Sequence, residues 1–224
     1  VIAPIIIPFL IMMAIGPRIN WIKQKYNDFK SLIFILILSC VINFLIFSFL
    51  KSYNLLSNLI IISSLFLILY SLKDFIINSK TKSYYNLPSF LSHTGFGILM
   101  LFIILNHNFS KEYDLNIKVG ETKKIDNIEI KFEDLKIEKR ENYNAIIGNF
   151  NILELKKNYR KNLNPEIRIY NNPQTLTFES AIKTNLQQDL YLTMSNIDGS
   201  DFYNVKFQIK PFMLWIWFAA LLTA

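Results

Sequence analysis

The 224-residue sequence is short of the residues from which most catalytic and metal sites are built. It has one cysteine, two histidines and six glycines. One cysteine cannot form an internal disulfide, a CxxC redox pair or a zinc cluster. Cys40 lies inside an apolar run and is expected to be a small buried apolar residue. Both histidines, His93 and His107, precede residue 108. Ser-His-Asp and Cys-His catalysis are therefore excluded from the second half of the chain. No GxxxxGK phosphate loop occurs. "NIDGSD" (196–201) begins like a calcium loop but lacks the closing glutamate at the required spacing, so it reads as a turn. The net charge of +7 comes from dispersed lysines with no aromatic-basic groove. Nucleic acid is not an expected partner. The first residue is Val1, not methionine, and the last apolar run stops about half a membrane thickness in. Both ends are expected to be cuts in a longer polypeptide, and no signal peptide can be judged from such an N-terminus.

What the chain does have is long apolar runs. It is 52% hydrophobic with a mean hydropathy of +0.28, the composition of a membrane protein with a soluble part. Residues 1–110 are expected to form transmembrane helices at about 1–15, 31–50, 55–77 and 87–106. The first is ended by Gly16-Pro17, and Pro88 suits the first turn of the fourth. A further helix begins in 210–224. Arg18, Lys23, Lys25 and Lys30 follow the first helix, and Lys73, Lys80 and Lys82 precede the fourth. Little beyond Lys51 lies in the loop between. The positive-inside rule makes the two basic loops cytoplasmic. Residues 111–209 then lie outside, which in a bacterium is the periplasmic side of the inner membrane.

That outer segment changes period. "IKVGETKKI", "NIEIKFEDLKIEK", "AIIGNFNILEL", "EIRIYN", "TLTFESAI", "DLYLTMS" and "YNVKFQI" alternate apolar and polar residues between Gly, Asn, Asp and Pro. About seven strands in a hundred residues predict a small barrel or sandwich. The expected fold class is a multi-pass α-helical membrane protein with an inserted periplasmic all-β domain.

One feature of the fourth run points to chemistry. In "LPSFLSHTGFGILMLFIILNH" (87–107) an imidazole sits at position 93 of an apolar helix, where an ionisable group is costly without a partner or a task. Two readings stand open: a histidine hydrogen-bonded to a neighbouring helix, and an axial ligand of haem. Gly95 and Gly97 follow at once. They would let a flat macrocycle, or another helix, approach closely. His107 is fourteen residues on, about 21 Å along a helix, and cannot bind the same iron. It reads as an interfacial residue. No CxxCH occurs, so this chain carries no covalent haem of its own.

The order of several short motifs resembles the CcmF family of cytochrome c-type biogenesis proteins, in its C-terminal third. These motifs are "GPRINW" (16–21), "LSHTGFG" (91–97), "NY" (142–143), "LNPEIRIY" (163–170), "TFESAI" (177–182), "DLYLTM" (189–194) and "KPFMLWIW" (210–217). The resemblance implies a part in the membrane haem lyase that attaches haem to apocytochrome c. It implies haem delivered by the chaperone CcmE, work alongside CcmH, and a transmembrane haem b with His93 as one axial ligand of its iron. Gly95 and Gly97 would pack closely near that haem, and the second ligand would lie outside this chain. The family's tryptophan-rich periplasmic segment is absent, so this piece alone is expected to be inactive. Two departures from the family pattern are Arg140-Glu141 before Asn142-Tyr143, and Leu214 within "KPFMLWIW". Arg168, Tyr170, Glu179 and Tyr191 stand out in the β-segment without a role that physics assigns. The alternatives are a haem-free membrane assembly scaffold or transporter subunit, and a b-type respiratory cytochrome subunit.

Overall fold

A computed structural model describes residues 3–16, 29–48, 54–79, 87–155 and 159–224. Most of "GPRINW" and the basic residues Arg18, Lys23, Lys25, Lys51, Lys80 and Lys82 lie outside the described residues. The chain divides into two compact units, Val1–Phe109 with Phe212–Ala224, and Ser110–Pro211.

The first unit is helical: α1 (Ala3–Ile15), α2 (Phe29–Phe47), α3 (Leu55–Ser79), α4 (Leu87–Phe109) and α5 (Met213–Thr223). Among the described residues three stretches, Phe29–Phe47, Leu55–Ile77 and Leu87–Phe109, are long and apolar enough to cross a membrane. This is a membrane protein by that measure. Helix α3 is central and contributes the buried Ile60, Ile61, Leu67 and Tyr70. Lipid gives apolar side chains no reason to leave it, so helices associate through small and polar residues instead. Helix α2 illustrates this. Its buried positions are Ile35, Ser39 and Asn43, four residues apart on one stripe. The Asn43 amide donates to Oδ1 of Asn58 on α3 at 3.3 Å. Ser39 and Ser63 donate to the carbonyls of Ile35 and Leu59 at 2.8 Å, which satisfies each hydroxyl within its own helix.

Elsewhere the helices turn large apolar side chains outward, among them Phe34, Phe44 and Leu55. Cys40 is exposed as well, contrary to the expectation of a buried residue. It lies off the narrow Ile35–Ser39–Asn43 stripe. An apolar residue facing a hydrocarbon solvent needs no protein cover.

The second unit is all-β: β1 (Lys111–Ile117), β2 (Thr122–Ile125), β3 (Ile128–Lys139), β4 (Tyr143–Glu154), β5 (Tyr159–Leu163), β6 (Glu166–Asn171), β7 (Gln174–Glu179), β8 (Ala181–Thr184), β9 (Gln188–Asn196) and β10 (Tyr203–Pro211). Among the described residues there are ten strands where about seven were expected. The first predicted run is divided at Gly120, whose φ of +85° suits a glycine. "TLTFESAI" is divided at Ser180, and its halves join different sheets. The third extra strand, β5, carries "YRKNL", which has no alternating pattern to announce it.

All pairings are antiparallel. One sheet runs β1-β10-β9-β8 and the other β2-β3-β4-β6-β7, with β5 also pairing β4. β5 and β6 lie along successive parts of β4, separated by Asn164-Pro165. Pro165 has no amide hydrogen, but its carbonyl accepts from Gly148 at 3.0 Å. The two sheets form a sandwich around Ile117, Ile130, Leu192, Met194, Val205 and Phe207, with Phe132 stacked on Phe150 at 4.2 Å. Tyr113 donates to Asp126 at 2.8 Å, tying β1 to the β2–β3 turn. Residues 110–211 carry 16 Lys and Arg against 15 Asp and Glu, so most of the net positive charge belongs to the helical unit.

Candidate functional site

Helix α4 runs unbroken from Leu87 to Phe109, so His93 and His107 stand on one rod. His107 is exposed in its last turn, about 21 Å from His93 by helical rise. His93 is half-buried. Its Nδ1 lies 2.6 Å from the carbonyl oxygen of Ser89, one turn back, and 3.3 Å from the Ser89 hydroxyl. A contact of 2.6 Å to a carbonyl needs a proton on Nδ1. The imidazole therefore donates from Nδ1, and in the neutral ring that tautomer leaves the lone pair on Nε2. That is the state of a ligating histidine whose second nitrogen is fixed by a backbone carbonyl. The chemistry of this residue fits an axial haem ligand. Among the described residues no group of three or more His, Cys, Asp or Glu could hold a metal ion.

Gly95 and Gly97 are both buried, and each faces another helix. A β-carbon at 95 would stand 2.9 Å from Cβ of Leu222 on α5. A β-carbon at 97 would stand 2.7 Å from Cγ1 of Ile68 and 3.3 Å from the Ser64 carbonyl, both on α3. Two residues apart is about 200° around a helix, which is why the pair meets two different neighbours. Between them Phe96 meets Phe9 of α1 edge-to-face at 5.8 Å. The Ser64 and Thr94 hydroxyls beside these contacts are buried without a hydrogen-bond partner.

In the β-unit, one sheet face gathers three of the four residues singled out there. Arg168 donates from Nε to Glu166 at 2.8 Å, reaches Glu179 at 3.9 Å and places its guanidinium 5.0 Å from the Tyr143 ring centre. The Glu166 hydrogen bond holds its guanidinium above the usual arginine range. Tyr170 packs against Tyr143 at 5.1 Å. Arg140 reaches the same network through Glu138 at 2.9 Å and Glu166 at 3.9 Å. Tyr191 is not part of it. It lies in the other sheet under the Lys210 ammonium, 4.7 Å from the ring centre. Burial, then the charge of Asp189, pushes the Tyr191 phenol up. Glu166, which joins the two arginines, and Asp189, only 5% exposed, escaped the sequence reading. Spacing of two within "EIR" was the available signal for Glu166. The same spacing in "DLY" was available for Asp189, which accepts from the Tyr191 hydroxyl at 3.4 Å.

Residues 108–211 match the family described as the CcmF C-terminal beta-sandwich. The cytochrome c-type biogenesis protein CcmF of Haemophilus influenzae is 27% identical over 238 residues, covering 98% of this chain and 36% of that protein. A solved cytochrome c heme lyase CcmF superposes with a TM-score of 0.80 over 99% of this chain and 38% of its own. Along nearly its whole length the chain is similar to CcmF proteins, and its residues 108–211 match that family's β-sandwich. At 14% identity, that superposition speaks for the fold alone. The CcmF of Escherichia coli K12 is 22% identical, again over 98% of this chain, with 35% of its own length covered. That of Pseudomonas aeruginosa is 28% identical over 64% of this chain and 22% of its own. The chain thus spans about a third or less of the CcmF proteins it matches.

Proposed function

We propose that this chain serves cytochrome c maturation as part of a membrane haem lyase, and that His93 is an axial ligand of a haem b within the membrane. One observation carries the reading. In a chain similar to CcmF proteins, on a helix long enough to span the bilayer, the imidazole spends Nδ1 on the Ser89 carbonyl and leaves Nε2 free to ligate.

In this reading the second ligand comes from outside these 224 residues. Bound there, the haem would supply a one-electron couple. The chain's own part is narrower. Ser89 fixes the tautomer and ring plane of His93, and α4 sets its depth. The β-sandwich lies on the periplasmic side of the inner membrane as a docking surface for CcmE, CcmH or apocytochrome c. The lyase activity belongs to the complete assembly.

The test is a His93→Ala substitution in the complete protein, purified in detergent and examined by absorption spectroscopy. Loss of a low-spin b-type Soret band supports the assignment. An unchanged band removes His93 from the iron. A wild-type protein with no Soret band that still captures a periplasmic partner would favour the haem-free scaffold.

A further inference from the structure

Gly95 and Gly97 lie within one turn of His93, where a macrocycle approaching closely would be one reason for small residues. The space beside each is already filled by protein: Cβ of Leu222 beside Gly95, and Cγ1 of Ile68 beside Gly97. Neither glycine has the left-handed backbone that would require a glycine for its conformation. Their reason is helix contact, α5 on one side of α4 and α3 on the other. His93 and Gly97 are four residues apart and so share one face of α4. We infer that Gly97 is a positioning residue for His93: it lets α3 seat against α4 so that Nε2 stands where an iron ligand must. This rests on the haem reading above, and it makes the glycines partners of helices and not of the porphyrin.

The consequence is quantitative. A methyl group at 97 would have to displace Ile68 or push α3 from α4 by several tenths of an ångström. A ligand must be held to about 0.5 Å of its productive position. The excess falls on His93, one turn away on the same face. Disturbing what holds a metal ligand typically weakens metal binding by about 10- to 100-fold.

The experiment is a size swap in the complete protein, with four forms: wild type, Gly97→Ala, Ile68→Ala and the double variant. Each is measured for haem retained after extensive detergent washing, for the low-spin electron paramagnetic resonance signature, and for thermal unfolding. Gly97→Ala should retain about tenfold less haem and shift the low-spin signal. The double variant should recover both, because Ile68→Ala removes the Cγ1 atom that the new methyl meets. Its melting temperature should recover in parallel, a readout that needs no haem. Wild-type retention and signal in Gly97→Ala would overturn the inference. So would a loss that Ile68→Ala does not restore, since the methyl would then be meeting the porphyrin. A His93→Ala protein keeping the wild-type signal would instead remove the ligand reading beneath it. The His93→Ala control thus separates the two failures.

Discussion

Gly148 of β4 and Met194 of β9 meet across the sandwich, the Met194 sulfur standing 2.8 Å from where a β-carbon on Gly148 would be. Cε2 of Phe150 closes the same space at 2.7 Å. The backbone at 148 is ordinary, so it is space that requires glycine there. Overfilling a packed core costs about 1–3 kcal/mol. Gly148→Ala should lower the stability of the sandwich by that amount in thermal unfolding. Met194→Ala removes the obstructing sulfur, so the two substitutions together should cost less than their sum by at least about 0.5 kcal/mol. Strict additivity would show that the two residues do not share that volume.

The β1–β10 pair brings a pH dependence. Glu112 accepts from Lys206 and from Gln208. The Lys206 hydrogen bond holds the Glu112 carboxyl below its usual range and holds the Lys206 ammonium above its own. A depressed carboxyl stabilises the fold above its unfolded pKa, about 4.3, and loses that contribution as pH falls through the lower folded value. A raised ammonium contributes below its unfolded pKa, about 10.4, and loses it as pH rises through the higher folded value. Both contributions are therefore present between about pH 5 and 10. The pair is exposed, so the effect is small and screened by salt. Wild type and Glu112→Gln should differ in melting temperature at pH 7 and low salt. The difference should shrink at high salt, and should vanish as acid protonates the depressed carboxyl.

Arg168 joins three strands, and an ammonium cannot take its place. Its Nε hydrogen bond to Glu166 and its stacking on Tyr143 both use the flat guanidinium. It stands in register with Ala145, which is fully buried beneath this face. Arg168→Lys keeps the charge but loses the planar contact, and should cost about 1 kcal/mol. A loss of that size in Arg168→Lys, close to that of Arg168→Ala, would show that geometry and not charge is what matters. If Lys fully replaced Arg, the network would be no more than a set of surface charges.

The sequence made some of this legible and hid the rest for identifiable reasons. Apolar length alone marked the spans of α2, α3 and α4, and period-2 alternation marked the long strands β3, β4, β9 and β10. The split at Ser180 was hidden because "TLTFESAI" keeps its alternation while the strand passes from one sheet to the other. β5 was hidden because "YRKNL" is polar and takes its place only by pairing with β4. His93 was visible as a polar residue in oil, and its tautomer was not, because the Ser89 carbonyl carries no sequence signal. "GFG" announced close approach without saying to what. Cys40 was misjudged because, on a helix long and apolar enough to cross a membrane, apolar composition no longer implies burial.

The last prediction concerns the start of α5. Phe212 follows β10 with φ of +63° and ψ of +11°, a left-handed conformation unusual for an aromatic residue, and α5 begins at the next residue. Its ring packs against Phe102 at 5.5 Å and Phe109 at 6.4 Å, and the neighbouring Trp215 stacks on Phe102 at 6.0 Å. The aromatic contacts offset a backbone that costs about 1–2 kcal/mol for any residue with a β-carbon. Two substitutions separate these effects. Phe212→Ala removes the ring and keeps the strain. Phe212→Gly removes the ring and the strain together, although the unfolded chain gains some freedom with glycine. Both should be less stable than wild type, and the glycine variant should be the better of the two by about 0.5–1 kcal/mol. Thermal unfolding of the three proteins in the same detergent reads this order directly. An alanine variant more stable than the glycine variant would mean that residue 212 is not held in the left-handed region.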